Sequence, residues 1–260
     1  MNWRLAVLGY PVSHSLSPQL HEAGLALAGL TGSSQRVEVR EEESSRVTAL
    51  LGTRLDAASV TMPLKSVVTA LCDRLDAVAT RTGMVNSLWF HDGRLHGANT
   101  DGQGLLDALS DEFRFDASGA RVVVLGAGGA ARSIVDALSV AGADEVVVHA
   151  RNAANLDWLV QHYDVVRPPA RHVEPIDLVV NTVPVAGRDE EEDVLDGVGP
   201  ETIAVDITYA PHTSPWRALY DAVGCATANG VAMLAYQAAR QMQWWFQTSI
   251  DGATLLEALA

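Results

Sequence analysis

The sequence predicts an α/β fold, and three observations carry that prediction. Arg121 to Arg132, R-V-V-V-L-G-A-G-G-A-A-R, reads as a buried strand, a glycine turn and the start of a helix. A second strand, Glu145 to His149, follows that helix and completes a β-α-β unit of about thirty residues. Strand candidates at Ile176 to Asn181 and Thr202 to Asp206 then alternate with helices, which predicts a mostly parallel sheet across residues 102 to 230.

The glycine turn is the first candidate site. Its pattern, G-x-G-x-x-A, puts Gly126 in the tight turn, Gly128 where a diphosphate approaches the backbone, and Ala131 where helix and strand pack. Free amides of Gly129 and Ala130 at the helix start then face the anion. A turn serving tight packing alone is the competing reading. Where NAD sites carry a carboxylate after the second strand, this chain has Ala150-Arg151-Asn152, and a guanidinium suits a ribose 2′-phosphate. The expected cofactor is therefore NADP (NADPH), with NAD disfavoured; a solvated loop cation is the plainer alternative for Arg151.

Composition narrows the classes. A chain of 260 residues, 48% hydrophobic, suits one large folded domain or two modest ones. No apolar run reaches membrane-spanning length, and Trp3 to Gly9 reads as a first strand rather than an export signal. Cys72 and Cys225 lack metal-type spacing, so a reduced cytoplasm is the simplest setting and no metal is expected. A net charge of −14 argues against nucleic acid and acidic membranes as partners. An anionic ligand would then depend on local cations and amides.

Ahead of the parallel region, Ser13, Ser15 and Ser17 cluster before Pro18, with Ser17 the expected N-cap of a helix to about Gly29. Hydroxyls beside helix amides make a carboxylate cradle, or simply an ordinary cap. Gln35 to Val39 and Ala57 to Thr61 read as strands. Pro63 is expected to open a helix through Leu71, which places Lys65 in its first turn. The peptide dipole there disfavours a cation by a few tenths to about one kcal/mol, a setting for a lysine that exchanges protons; a surface lysine is the alternative. Gly83 to Phe90 and Arg94 to Gly97 read as strands joined at His91-Asp92-Gly93. Asp101 either caps the next helix or pairs with Lys65. Glu41 to Glu43 and Asp189 to Asp193 read as solvated charge runs. Val231 to about Thr248 is a helix whose apolar stripe (Met233, Leu234, Ala238, Trp244, Trp245) includes Gln237 and Gln241, and a buried amide needs partners.

These segments together resemble the shikimate dehydrogenase family over nearly the whole chain. Gly9 to Pro18 (G-Y-P-V-S-H-S-L-S-P) looks like its substrate loop, Val60 to Lys65 (V-T-M-P-L-K) like its lysine motif, and Gly97 to Asp101 (G-A-N-T-D) like its aspartate motif. Asp206 to Pro211 and Gly230 to Gln237 match later segments. The resemblance implies an N-terminal α/β substrate domain of residues 1–101 completed by the closing helices of 231–260, a Rossmann-type NADP domain of 102–230, and an active site in the cleft. It implies Lys65 and Asp101 as the catalytic pair. Ser15, Ser17, Thr61, Asn86, Asp101, Tyr209 and Gln237 would surround the substrate, Gly126, Ala127, Gly128, Gly129 and Ala130 the diphosphate, and Ile207 and Gly230 the nicotinamide. The implied reaction is reversible reduction of 3-dehydroshikimate to shikimate in chorismate biosynthesis, by a monomer or homodimer.

Departures from the pattern matter as well. Ser59, Glu22 and Ser87 replace the Asn, Asn and Thr usual there. Asn155 stands where many NADP-specific members carry a second basic residue, so NADP preference rests on Arg151. Asn181 to Gly187 lacks the family's glycine spacing. Two rivals are an NAD-using quinate/shikimate dehydrogenase, disfavoured because no acidic residue closely follows Val148, and an idle NADP-binding regulator, disfavoured by intact Lys65 and Asp101.

Overall fold

Side chains of β1 (Asn2–Gly9) alternate between two apolar environments, so this strand lies at the middle of a layered unit. Trp3 and Leu5 pack with Leu20, Ala238, Met242 and Trp245 on one side, whereas Ala6 and Leu8 pack with Val47, Leu55, Leu64 and Leu88 on the other. The computed structural model describes residues 2–169, 175–184, 196–209 and 214–259. The acidic run Asp189 to Asp193 and the Ala210-Pro211 end of one family motif lie outside these residues.

After β1 come α1 (Ser17–Leu27), β2 (Thr31–Glu38), α2 (Arg46–Leu50), β3 (Ala57–Val60), β4 (Arg74–Leu75), α3 (Ala77–Thr82), β5 (Ser87–His91), β6 (Arg94–Ala98) and α4 (Asp101–Phe113). Then follow β7 (Arg121–Leu125), α5 (Gly129–Ala141), β8 (Glu145–His149), α6 (Ala153–His162), β9 (Val166–Arg167), β10 (Leu178–Asn181), β11 (Ile203–Asp206), α7 (Pro215–Ala222), β12 (Ala226–Asn229), α8 (Val231–Phe246) and α9 (Gly252–Glu257). The chain divides into two compact units, Met1–Leu105 with Leu234–Ala260, and Leu106–Met233, so the divisions fall inside α4 and α8.

The first unit holds a mixed sheet in the order β2-β1-β3-β5-β6-β4. β1 runs parallel to β2 and β3, and β5 is antiparallel to β3 and β6. The β5–β6 hairpin closes through Asp92 and Gly93, both left-handed at φ of 50° and 71°, as a two-residue turn that follows strand twist requires. The second unit holds the sheet β12-β11-β10-β7-β8-β9, parallel at every pairing, as the alternation of strands and helices predicts. Val123, Leu125, Val147, Val179 and Ala204 form its core with Trp216 and Tyr220 of α7.

Two expectations fail locally. Pro63 does not open a helix: residues 62–66 form turns, and only Val67–Leu71 winds, as a 3-10 segment. Leu64 N–H closes a local turn on the Thr61 carbonyl, and Val85 N–H donates to the Lys65 carbonyl, so one long-range bond claims an acceptor that a helix would use. The strand expected from Gly83 also begins later. Asp76 caps α3 by accepting from Ala79 N–H, and Gly83 ends that helix in the left-handed region at φ 66°.

In the first unit α4 and α8 touch at backbone level. A Cβ added to Gly104 would sit 2.6 Å from Gln237 Cβ and 2.6 Å from its nitrogen, none of it a flexible side-chain end. Gly104→Ala is therefore expected to destabilise the protein by about 1–3 kcal/mol despite alanine's better helix propensity, read as a lower urea midpoint with unchanged slope.

Candidate active site

The apolar stripe of α8 carries its two amides to the end of the first sheet where β5, β6 and α4 meet. Asn86, immediately before β5, is buried and lies at the centre. Its Nδ2 is 2.7 Å from Asp101 Oδ1, 3.0 Å from Thr100 Oγ1 and 3.1 Å from Gln237 Oε1, while its Oδ1 accepts from Thr100 N–H at 2.9 Å. Two hydrogens are shared among three acceptors, and the charged carboxylate holds the shortest contact. Asp101 starts α4, and its second oxygen takes Lys65 Nζ at 2.6 Å. The pair is largely out of solvent, with side chains 17% exposed for Lys65 and 7% for Asp101. A half-buried pair of this kind supplies a fixed ammonium, and loss of either partner strands a buried charge.

Lys65 therefore sits on a turn rather than in the first turn of a helix of its own. Ser17 likewise is not an N-cap: α1 begins at Ser17, Leu16 occupies the cap position, and no side chain caps it. Ser15 Oγ instead accepts from Ser17 N–H at 3.3 Å and lies 3.2 Å from Ser17 Oγ, so both hydroxyls are side by side, as the serine cluster predicts. Arg36 of β2 donates twice to the Ser15 carbonyl and holds this loop in place. Thr61 follows β3, where Gly9 lets the backbones close: a Cβ there would lie 2.5 Å from Thr61 Cγ2. The Thr61 hydroxyl makes no hydrogen bond among the described residues. Ser15, Ser17, Thr61, Lys65, Asn86, Asp101 and Gln237 thus all belong to the first unit.

Behind this group runs a buried chain that sequence reading did not assemble. His21 Nδ1 lies 2.8 Å from Ser34 Oγ and its Nε2 2.8 Å from Ser59 Oγ. Ser59 donates to Gln241 Oε1 at 2.6 Å, and Gln241 Nε2 donates to the Asn86 carbonyl at 2.9 Å. Because the Ser59 proton goes to Gln241, Ser59 accepts from His21 Nε2–H, and Nδ1 accepts from Ser34. The signal was a pair of glutamines at i and i+4 on an apolar face, with a histidine on the buried face of α1.

The remaining expected residues lie in the second unit. Gly126 has φ 101°, and a Cβ there would run into the Thr182 hydroxyl. Nothing lies within 4 Å of a Cβ added to Gly128, which N-caps α5 with no side-chain bond. The turn is therefore open at Gly128, just ahead of the helix-start amides of Gly129 and Ala130, a cradle that fits a diphosphate; Ala127 is buried. Arg151 is exposed, just ahead of Asn152, which caps α6 by accepting from Asn155 N–H at 3.2 Å. At the end of β11, Asp206 accepts from Thr208 N–H and Oγ1–H and from Ser214 Oγ–H, fixing the turn that carries Ile207 and Tyr209. Gly230 packs against the Ile207 carbonyl so closely that a Cβ would overlap it. Among the described residues no group of three or more His, Cys, Asp or Glu is placed to hold a metal, and no helix is long and apolar enough to cross a membrane.

The shikimate dehydrogenase substrate binding domain matches residues 7–88. The NADP(+) shikimate dehydrogenase of Exiguobacterium sp. is 35% identical over 263 residues, covering 98% of each chain. The chain belongs to the shikimate dehydrogenase family. Shikimate dehydrogenase of Aquifex aeolicus superposes with a TM-score of 0.87 at 26% identity, over 99% of this chain and 97% of that one. Shikimate 5-dehydrogenase of Thermus thermophilus, solved with NADP(H) and shikimate, gives 0.85 at 32% identity over 98% of each chain. The α/β architecture with a parallel dinucleotide-type sheet is thus that of shikimate dehydrogenases.

Full burial drives the pKa of His21 from 6.5 to about 3. The folded state holds the ring neutral whereas the unfolded chain protonates it below 6.5, so this contribution to stability is complete above pH 6.5 and is lost as pH falls towards 3. The loss is expected at about 1.4 kcal/mol per pH unit, and His21→Gln, though less stable at pH 7, should show a correspondingly flatter urea-derived stability between pH 6.5 and about 4.

Proposed function

We propose that this chain is an NADP-dependent shikimate dehydrogenase, catalysing reversible reduction of 3-dehydroshikimate to shikimate in the route to chorismate. The observation that carries this reading is the Lys65–Asp101 pair at 2.6 Å, set among Asn86 and Gln237. When bound, the reduced nicotinamide supplies hydride to the ketone carbon. Lys65 Nζ donates a proton to the oxygen that becomes the hydroxyl, and takes it back in the reverse direction. Asp101 keeps the ammonium in place and balances its charge.

Ser15 and Ser17 hold the substrate carboxylate through hydroxyl donation, which needs no net positive charge. Thr61, Asn86, Gln237 and Tyr209 take the ring hydroxyls. On the cofactor side, Gly126, Ala127, Gly128, Gly129 and Ala130 receive the diphosphate, Arg151 the 2′-phosphate, and Ile207 with Gly230 the nicotinamide. Two unpaired cysteines, Cys72 half-buried and Cys225 buried, suit a cytoplasmic enzyme.

Lys65→Ala is expected to lower kcat for shikimate oxidation by about 100- to 10,000-fold while the Kd for NADP changes little. Retained turnover would remove Lys65 from proton transfer. Parallel assays of shikimate and quinate with NADP and NAD should give the highest kcat/KM for shikimate with NADP; an NAD preference would favour the quinate/shikimate alternative.

A further inference from the structure

The arginine in the first turns of α5 is placed where its own helix has no use for it. The guanidinium carbon of Arg132 lies 4.0 Å from the centroid of the Trp158 ring. Its Nη2 donates to Asn155 Oδ1 at 3.2 Å. Both partners belong to α6, and Asn155 stands in that helix's first turn. The side chain thus spans from the diphosphate turn at the start of α5 to the start of α6. That is where β8 ends and Arg151 stands exposed.

Three features distinguish this arginine from a strut between helices. Its Nε is buried without a hydrogen-bond partner among the described residues. No carboxylate among them pairs with it, although the chain carries 32 acidic residues against 18 basic ones. Burial also lowers its pKa from the usual arginine value, so the surroundings leave the cation undersolvated. A polar group withdrawn from water without compensation is costly unless a ligand completes it. In a dinucleotide-binding β-α-β unit, the end of the second strand is where the adenosine ribose lies.

We propose that Arg132 acts with Arg151 as the second cation for the 2′-phosphate of NADP, replacing from α5 the basic residue that Asn155 displaces on α6. Trp158 holds the guanidinium plane by a cation–π contact, and Asn155 positions one edge of the fork. The Nη hydrogens not taken by Asn155 are left for phosphate oxygens. The sequence position that looked deficient is therefore compensated in space, and cofactor choice is divided between two helices.

This rests on the NADP-dependent reading above, and binding measurements on the full chain separate the two. NADP+, NAD+, 2′,5′-ADP and 5′-ADP are titrated calorimetrically. If the unaltered protein bound NAD+ as tightly as NADP+, the NADP reading itself would fail, and this proposal with it. Given NADP preference, Arg132→Gln should weaken NADP+ and 2′,5′-ADP by about tenfold or more, and NAD+ and 5′-ADP by no more than about twofold. Equal losses for both pairs, or no loss for either, would overturn the proposal. Arg132→Lys provides a second variant that keeps a cation at the same place. It should bind NADP+ and 2′,5′-ADP at least about threefold more tightly than Arg132→Gln, with NAD+ affinity alike in the two. The same NADP+ affinity in both variants would likewise overturn the proposal.

Discussion

One planar amide fixes the geometry on which the candidate chemistry depends. Asn86 sits between the carboxylate of Asp101 and the amide of Gln237, and its oxygen accepts the Thr100 N–H at the start of α4. The hydroxyl of Thr100 in turn donates to the Gln237 carbonyl at 3.0 Å, so α4 and α8 are tied to each other and to the same side chain. The ammonium of Lys65 is thereby presented on a rigid support, although its own backbone lies in a turn. Rigidity of this kind is what a proton donor needs if its reach is to match a short-lived charge.

The backbone of Asn86 is equally constrained. Its carbonyl accepts from both Val60 N–H at 2.7 Å and Gln241 Nε2–H. The chain of Ser34, His21, Ser59 and Gln241 therefore ends on the main chain of the residue whose side chain orients Asp101. His21 and Ser59 have their donors and acceptors matched, which a buried polar network requires if it is not to weaken the core. Trp245, edge-on to the His21 ring with centroids 5.3 Å apart, closes off water from that side.

Much of the fold was legible because period and punctuation agree with it. The parallel sheet followed from short apolar strands alternating with helical runs, and Gly126 and Gly128 marked the tight turn between β7 and α5. The hairpin was announced by Asp92-Gly93. What escaped detection was decided by distant contacts and by local bonds that residue type alone does not announce. Pro63 is a good first residue for a helix, yet Val85 and Thr61 engage the neighbouring backbone and leave a turn and a 3-10 segment. Ser17 is a good cap by residue type, but the Ser15 hydroxyl takes its N–H. At the candidate site, Lys65, Asp101 and Gln237 were readable from motif and pattern. The His21 chain was not, since residues bonded within it are up to 182 positions apart. Arg132 was read only as the last letter of a glycine motif, because nothing local states which helix a long side chain will reach.

Trp158 has a further consequence. Its indole packs against both the guanidinium of Arg132 and the imidazole of His162, the latter stacked at 4.0 Å between centroids. A ring in that position makes a natural optical gauge: its emission responds to whatever rearranges the cation beside it, without an attached dye. Removing the other five tryptophans would be a heavy intervention, since Trp216 and Trp245 are fully buried core residues. Quenching differences between cofactors with and without a 2′-phosphate would isolate the same signal in the intact chain.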